Sequence, residues 1–445
     1  MCSSLGMGGV EKNVQTIAEA MPREVFEVSV CATDCWGARG ENLARKGFQT
    51  TCLEGDIGSI RGVLKDIDPH IMMIHRAGGR ERKWDTILRA GNNHRRTIVE
   101  HNVFGIPDTG PTDGLIDLHL HKSMTSYLKF QRLARDRNYE RINRHAVLYN
   151  LLDIKEIQRV ETTELARVQT RMNCGIKEGE VLFLRVGRSD LAKWGDMLTF
   201  ALPHIIELVP NARFLFVGVP SSRRAYFQRR FGERVLCLND TISDDKLMSL
   251  YRSADILLHS SRIGESFGYS IAEGMACGLP VIVNSTPWAD NAQIELVDHM
   301  RTGIVANTPR GMAEAAGYIA RNKDTRMVMG EAGAARRDWD AGRGSESLGR
   351  YVLDLLAQKG EDVTDLYHIA RNWVVSPSKE DVGQYVESYA QRLKRVWNAI
   401  PPSRSAIGPA FSRARWFAFD ATHIAFGRLS RAFSKPACSQ SHVGT

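Results

Sequence analysis

Two carboxylates eight residues apart, Glu265 and Glu273, stand in a run from Gly264 to Pro280 that also carries Gly268, Gly274 and Gly278. An apolar stretch from Asp255 to His259 precedes the run, and another from Leu279 to Val283 closes it. A glycine-bearing loop must therefore turn from a strand into a helix. Such loops, at the carboxyl ends of parallel strands, are where open α/β sheets bind ligands, and helix N-termini offer unpaired N–H groups to anions. Carboxylates beside an anion site are poor phosphate ligands but good acceptors for the hydroxyls of a ribose and a sugar. The pattern points to nucleotide-sugar chemistry.

Arg188 and Lys193, in Leu184-Arg-Val-Gly-Arg-Ser-Asp-Leu-Ala-Lys-Trp-Gly195, offer a planar fork and a point charge after another strand. They suit a diphosphate, or are an ordinary exposed pair. Main-chain N–H groups of Ser266, Phe267 and Gly268, and of Gly8 and Gly9, would complete a cradle, since glycine permits close backbone approach. Glu11 and Lys12 read as surface or capping residues. No His/Asp cluster has metal-ligand spacing.

The elements that position these residues alternate. Strand-like runs start at Phe26, Phe48, His70, Arg96, Leu118 and Ala146, then at Val181, Arg213, Arg234, Asp255, Leu279 and Gly303. Helical stretches lie between them, among them Val10 to Ala20, Lys122 to Arg135, Met197 to Leu208, Asp244 to Ser253 and Gly311 to Arg321. Alternation of this kind implies βαβ units and parallel sheets. Only Met1-Cys-Ser-Ser4 precede Leu5, so the strand expected before the first glycine loop is short or missing, with truncation the expected reason. A missing central strand would leave buried backbone groups unpaired, at about 1–3 kcal/mol each.

The Glu265/Glu273 run resembles the Glu-x7-Glu signature of retaining GT-B glycosyltransferases, family 4 in particular. Three further stretches resemble that family in order: Leu5-Gly-Met-Gly-Gly-Val-Glu-Lys12, Thr97-Ile-Val-Glu-His-Asn102 and the Leu184–Gly195 loop, with lesser echoes at Leu148-Tyr-Asn150 and Gln293 to Asp298. The resemblance implies an α/β GT-B fold, two Rossmann-like domains facing a cleft with a C-terminal helical extension. It covers roughly residues 5 to 330 and assigns the acceptor to 1–165 and the donor to 166–340; beyond it the sequence reads as helices over 341–400 and a basic aromatic tail over 401–445. It gives Arg188 and Lys193 to the donor diphosphate, Glu273 to the ribose and Glu265 to the transferred sugar. His101 falls near the reacting sugar, or is a satisfied structural histidine. The implied activity is retaining, metal-independent transfer of a hexosyl unit from a nucleotide diphosphate sugar to a glycan, lipid-linked or small-molecule acceptor in polysaccharide or glycoconjugate assembly. No cofactor and no nucleic-acid partner are expected. A GT-B-fold nucleotide-sugar epimerase and a non-catalytic scaffold are the alternatives. A dinucleotide dehydrogenase is disfavoured, because Gly6, Gly8 and Gly9 miss the Gly-x-Gly-x-x-Gly spacing.

The chain of 445 residues is long enough for two domains. Its eight cysteines lack paired spacing, which suggests reduced thiols and a cytoplasmic home. No stretch of 18 apolar residues reads as a membrane span. The net charge of +8 is concentrated from Gln391 onward, where nine Lys or Arg face the single acid Asp420. That tail is either solvated or, through 401–435, directed at an anionic membrane surface, which would make the protein peripheral at the inner face. The basic run Arg76, Arg80, Arg82, Lys83, Arg89, Arg95, Arg96 reads either as a hold on a phosphorylated acceptor or as a solvated face.

Overall fold

A computed structural model describes residues 1–385 except 94, 137–143, 160–162, 240–242, 287–288 and 379. The basic tail, and the part of the expected 341–400 helical region beyond residue 385, lie outside the described residues.

Thirteen strands form among the described residues: β1 (Cys2–Ser4), β2 (Ser29–Cys35), β3 (Gln49–Cys52), β4 (Ile71–Arg76), β5 (Thr97–Asn102), β6 (Leu118–His121), β7 (His145–Val147), β8 (Val181–Val186), β9 (Ala212–Val217), β10 (Val235–Leu238), β11 (Ile256–His259), β12 (Val281–Val283) and β13 (Gly303–Val305). The C-lobe sheet is wholly parallel, in the order β10-β9-β8-β11-β12-β13. Its strands are continuous apolar runs because helices cover both faces. Leu182, Phe183, Leu184, Phe214, Leu215 and Phe216 are all fully buried. Each such side chain contributes about 1.5–3 kcal/mol of burial.

The N-lobe repeats this plan. Parallel sheets β1-β2-β3 and β4-β5-β6-β7 meet through Met1, whose carbonyl accepts from the His75 N–H (2.9 Å) and whose nitrogen donates to the Met73 carbonyl (2.6 Å). The central strand is therefore short rather than missing, and three residues suffice to occupy the gap. Strand order reverses between β1 and β4 in the N-lobe and between β8 and β11 in the C-lobe. Crevices at such reversals are the ligand sites of open α/β sheets.

The Gly/Arg-rich stretch after Asp340 reads as a link, yet it opens the helix Ala341–Gln358. Asp340 caps that helix by accepting from the Arg343 N–H (3.2 Å), and Gly344 lets it approach Leu151, whose Cδ2 would lie 2.1 Å from an added Cβ. Leu348, Val352, Leu353 and Leu356 pack with Ile17, Val99, Leu120 and Leu148, so this helix joins the N-lobe core.

The lobes meet at the helix Gln293–Leu296. Its Glu295 carboxylate accepts from the N–H groups of Met124 (3.0 Å) and Thr125 (3.1 Å) and from the Tyr149 hydroxyl (2.6 Å). It thus caps the N-lobe helix Met124–Asp136 from across the interface. Lys129 and Asp290 pair beside it at 2.6 Å.

Candidate active site

The loop after β8 is built around Arg185, whose fully buried guanidinium donates to the carbonyls of Val186, Lys193 (2.9 Å) and Ser260 (3.1 Å) and lies 5.0 Å from the Trp194 ring. Burial lowers its proton affinity to a pKa of about 10, still well above neutrality. Arg185 thereby ties the carboxyl ends of β8 and β11 together across the strand-order reversal. Trp194 fixes the same loop, donating from Nε1 to the Arg188 carbonyl (3.0 Å).

On this frame Lys193 Nζ reaches Glu265 Oε2 at 2.8 Å and the Gly264 carbonyl at 3.1 Å. His259, at the end of β11, places Nε2 3.2 Å from Glu265 Oε1. Burial alone would raise the Glu265 pKa; Lys193 and His259 outweigh it and hold the carboxyl well below the usual range. Burial, with Arg185 adding to it, lowers His259 to about 4, so at neutral pH it is an uncharged neighbour. Gly264 has φ +67°, and an added Cβ would meet the Asp290 carbonyl oxygen at 1.5 Å. Only glycine fits there.

The N–H groups of Ser266, Phe267 and Gly268 have no hydrogen-bond partner among the described residues. They precede the helix Tyr269–Ala276, whose dipole adds positive potential. The Phe267 ring is core, packed near Tyr149, Tyr269 and Trp339, so only its backbone is available to a ligand. The N–H groups of Gly8 and Gly9 likewise lack partners. An added Cβ on Gly9 would touch the Tyr269 ring at 3.4 Å, which brings the two glycine loops face to face.

Glu273 is bridged from the opposite lobe. Its Oε1 pairs with Lys12 and its Oε2 accepts from Tyr251 (2.9 Å). Tyr269 donates to the Leu151 carbonyl (3.0 Å), and Asn13 Oδ1 accepts from the Leu151 N–H (2.9 Å). Lys12, Asn13 and Tyr251 were not legible as site residues, because each acts through a partner remote in sequence; Arg185 and His259 were not, because a polar residue at a strand end carries no mark of its burial.

Of the expected residues, Lys193, Glu265, Ser266, Phe267, Gly268 and Glu273 share one end of the C-lobe sheet, with Gly8 and Gly9 opposite. Arg188 lies on the same loop, but its side chain is 67% exposed and faces Asp190 at 4.0 Å. His101 is fully buried: Nε2 hydrogen-bonds the Leu148 carbonyl (3.1 Å), and Asn13 Nδ2 approaches Nδ1 (3.2 Å). Burial, with the Lys122 charge, lowers its pKa well below 6.5. The basic run does not form one cationic surface, since Arg76 is buried between Glu100 (2.5 Å) and Asp108 (2.7 Å), and Arg96 binds the Pro69 carbonyl (2.8 Å). Among the described residues no His, Cys, Asp or Glu group is arranged to hold a metal ion, and no helix is long and apolar enough to cross a membrane.

Residues 180–322 match the family model of glycosyl transferases group 1. The chain is 29% identical over 210 residues to a D-inositol 3-phosphate glycosyltransferase of Xylanimonas cellulosilytica, covering 45% of this chain and 47% of that one. It is 29% identical over 159 residues to a phosphatidyl-myo-inositol mannosyltransferase of Propionibacterium freudenreichii, covering 35% and 39%. The chain thus spans less than half the length of these curated relatives. The structure superposes on Anabaena Alr3699/HepE, solved in complex with UDP-glucose, with a TM-score of 0.63 at 18% identity, covering 80% of this chain and 98% of that one. The fold is GT-B, with two Rossmann-like domains and C-terminal helices.

Proposed function

We propose that this protein is a retaining glycosyltransferase that moves a hexosyl unit from a nucleotide diphosphate sugar to a glycan, lipid-linked or small-molecule acceptor in polysaccharide or glycoconjugate assembly. One observation carries the reading. Lys193 and Glu265, paired at 2.8 Å, straddle the reversal between β8 and β11 beside three N–H groups without partners among the described residues. The group 1 match over this segment and the names of the relatives support it.

The leaving group of the reaction is a diphosphate, and fixed donors aimed at developing charge lower such a barrier most. Lys193, Arg188 and the Ser266–Gly268 N–H groups supply that charge stabilisation. Glu265 accepts from the hydroxyls of the transferred sugar. On Glu273 the ribose hydroxyls take the place of the Lys12 ammonium. The bond from the anomeric carbon to the diphosphate oxygen breaks, the acceptor oxygen bonds to the same face, and its proton passes to the departing phosphate. No protein base is needed, in keeping with a His101 whose ring nitrogens are engaged. No metal takes part, because the cations of this loop carry the charge.

The test is a panel of UDP-, GDP- and ADP-sugars, scored first for thermal stabilisation and then for nucleotide release with and without acceptor. One base should stabilise the protein, with release stimulated by acceptor. Glu273→Ala and Lys193→Ala should each lose most turnover while remaining folded. Wild-type rates in both variants would overturn the assignment, and acceptor-independent conversion of the donor would favour an epimerase.

A further inference from the structure

Lys193 and His259 hold the Glu265 carboxylate, but its main chain is held by another segment of the C-lobe. The Glu265 N–H donates to Gln293 Oε1 (3.0 Å), and the Glu265 carbonyl accepts from the Ala292 N–H (2.9 Å). Gln293 is fully buried. Its Nε2 donates to Thr286 Oγ1 (2.7 Å), and the Thr286 hydroxyl donates in turn to the Asp290 carbonyl (2.5 Å). The amide stands in one orientation only, because the Glu265 N–H needs an acceptor and the Thr286 hydrogen is already given to Asp290. Gly264, beside Glu265, lies flat on this segment: an added Cβ would come within 2.4 Å of Thr286 Oγ1.

The N-lobe grips the same segment. Asp290 Oδ1 accepts from Lys129 Nζ (2.6 Å) on the helix Met124–Asp136, and Glu295, two residues after Gln293, caps the start of that helix. Lobe docking therefore fixes both ends of residues 290–295, and the Glu265 backbone is bonded to the middle. A residue that merely filled the core at 293 would need volume and no polar atoms. A buried amide is tolerated only with its groups paired, and its removal leaves a buried N–H and a buried hydroxyl unsatisfied. Glu265 sits in a loop between Gly264 (φ +67°) and Gly268 (φ +108°), whose backbones are intrinsically free, so these main-chain bonds decide where its carboxylate lies.

We infer that Gln293 is a positioning residue for Glu265, and that Lys129, Asp290 and Thr286 carry the docking of the N-lobe to it. The inference rests on the glycosyl-transfer reading for the role of Glu265 and adds residues that act through it. Gln293 bonds the Glu265 backbone and not the N–H groups of Ser266, Phe267 and Gly268. The relay therefore acts on the transferred sugar rather than on the diphosphate, and the two effects can be measured apart.

The experiment compares wild type with Gln293→Met, Thr286→Val, Thr286→Ser and Lys129→Met in two readouts. One is hydrogen exchange of the Glu265 amide, resolved to the residue by fragmentation mass spectrometry; the other is kinetics with the donor chosen by the panel. Gln293→Met should exchange that amide about tenfold faster. Its kcat should fall about tenfold, with nucleoside diphosphate affinity unchanged within about twofold. Thr286→Val and Lys129→Met should move both readouts the same way by about threefold, and Thr286→Ser, which keeps the hydroxyl, should recover most of that loss. Lys129 is 26% exposed, so Lys129→Met decides the matter if Gln293→Met does not fold. The inference is overturned if Thr286→Val and Lys129→Met match wild type in both readouts, if Thr286→Ser is as impaired as Thr286→Val, or if nucleotide affinity falls as far as kcat. Wild type that turns over no donor would instead sink the glycosyl-transfer reading, while the exchange rates still decide on the relay.

Discussion

Lys12 of the N-lobe and Glu273 of the C-lobe form an ion pair between the two lobes, with Glu273 held from behind by the Tyr251 hydroxyl at 2.9 Å. Glu273 is 4% exposed and Lys12 16%, so the pair is mostly out of water. Breaking one partner of such a pair leaves a buried charge, which costs more than the pair itself contributes. In a urea-denaturation double-mutant cycle, Lys12→Met and Glu273→Gln should couple by about 1–3 kcal/mol. Saturating nucleotide should shrink that coupling, because ribose hydroxyls replace the ammonium. Additive effects would show that the lobes are not joined here.

Acid should weaken the fold in two stages. His259, His75, His101 and His121 are kept neutral chiefly by burial, and His259 is lowered from 6.5 to about 4. In the unfolded chain these groups take protons first, so stability falls as pH drops from 6.5 toward 4. Glu100 continues the decline. Burial alone would raise it, but Arg76 and His119 hold it at about 2 against a usual 4.5, so its contribution is present above 4.5 and lost toward 2. The urea midpoint should therefore fall steadily below pH 6.5, and His259→Gln should flatten the upper part of the curve. A midpoint constant from pH 7 to pH 4 would contradict this.

Two glycines with positive φ should respond differently to alanine. At Gly264 (φ +67°) the new Cβ would collide with the Asp290 carbonyl, whereas at Gly278 (φ +79°) it would meet nothing within 4 Å. Gly278→Ala should cost about 1–2 kcal/mol of backbone strain. Gly264→Ala should cost more than that and also move Glu265, reducing turnover. Equal melting temperatures for the two variants would refute the packing argument.

Much of this architecture was readable where periodicity is strong and local. The strands at Leu118–His121 and Val181–Val186 and the helix Asp244–Ser253 fall where apolar spacing puts them. The strand expected from Phe26 instead begins at Ser29, because Phe26 stacks on Trp373 (6.5 Å), a partner that spacing cannot announce. The stretch after Asp340 reads as a link because it is rich in glycine, but Gly344 and Gly349 serve close packing on Leu151 and Trp373 rather than a bend. In the site, Glu265, Glu273 and Lys193 were legible from loop chemistry. Lys12 was not, since a lysine in a first helical turn looks solvated until the opposite lobe is present. Arg185 was hidden because a cation at a strand end carries no mark of its burial.

The most direct test of the donor-site assignment is calorimetric titration of UDP, GDP and ADP into wild type and Lys193→Met. One nucleotide should bind wild type, and the variant should bind it at least tenfold more weakly, a loss of about 1.4 kcal/mol or more. Equal affinity in the two proteins, or no binding of any of the three by wild type, would contradict a diphosphate site built on Lys193.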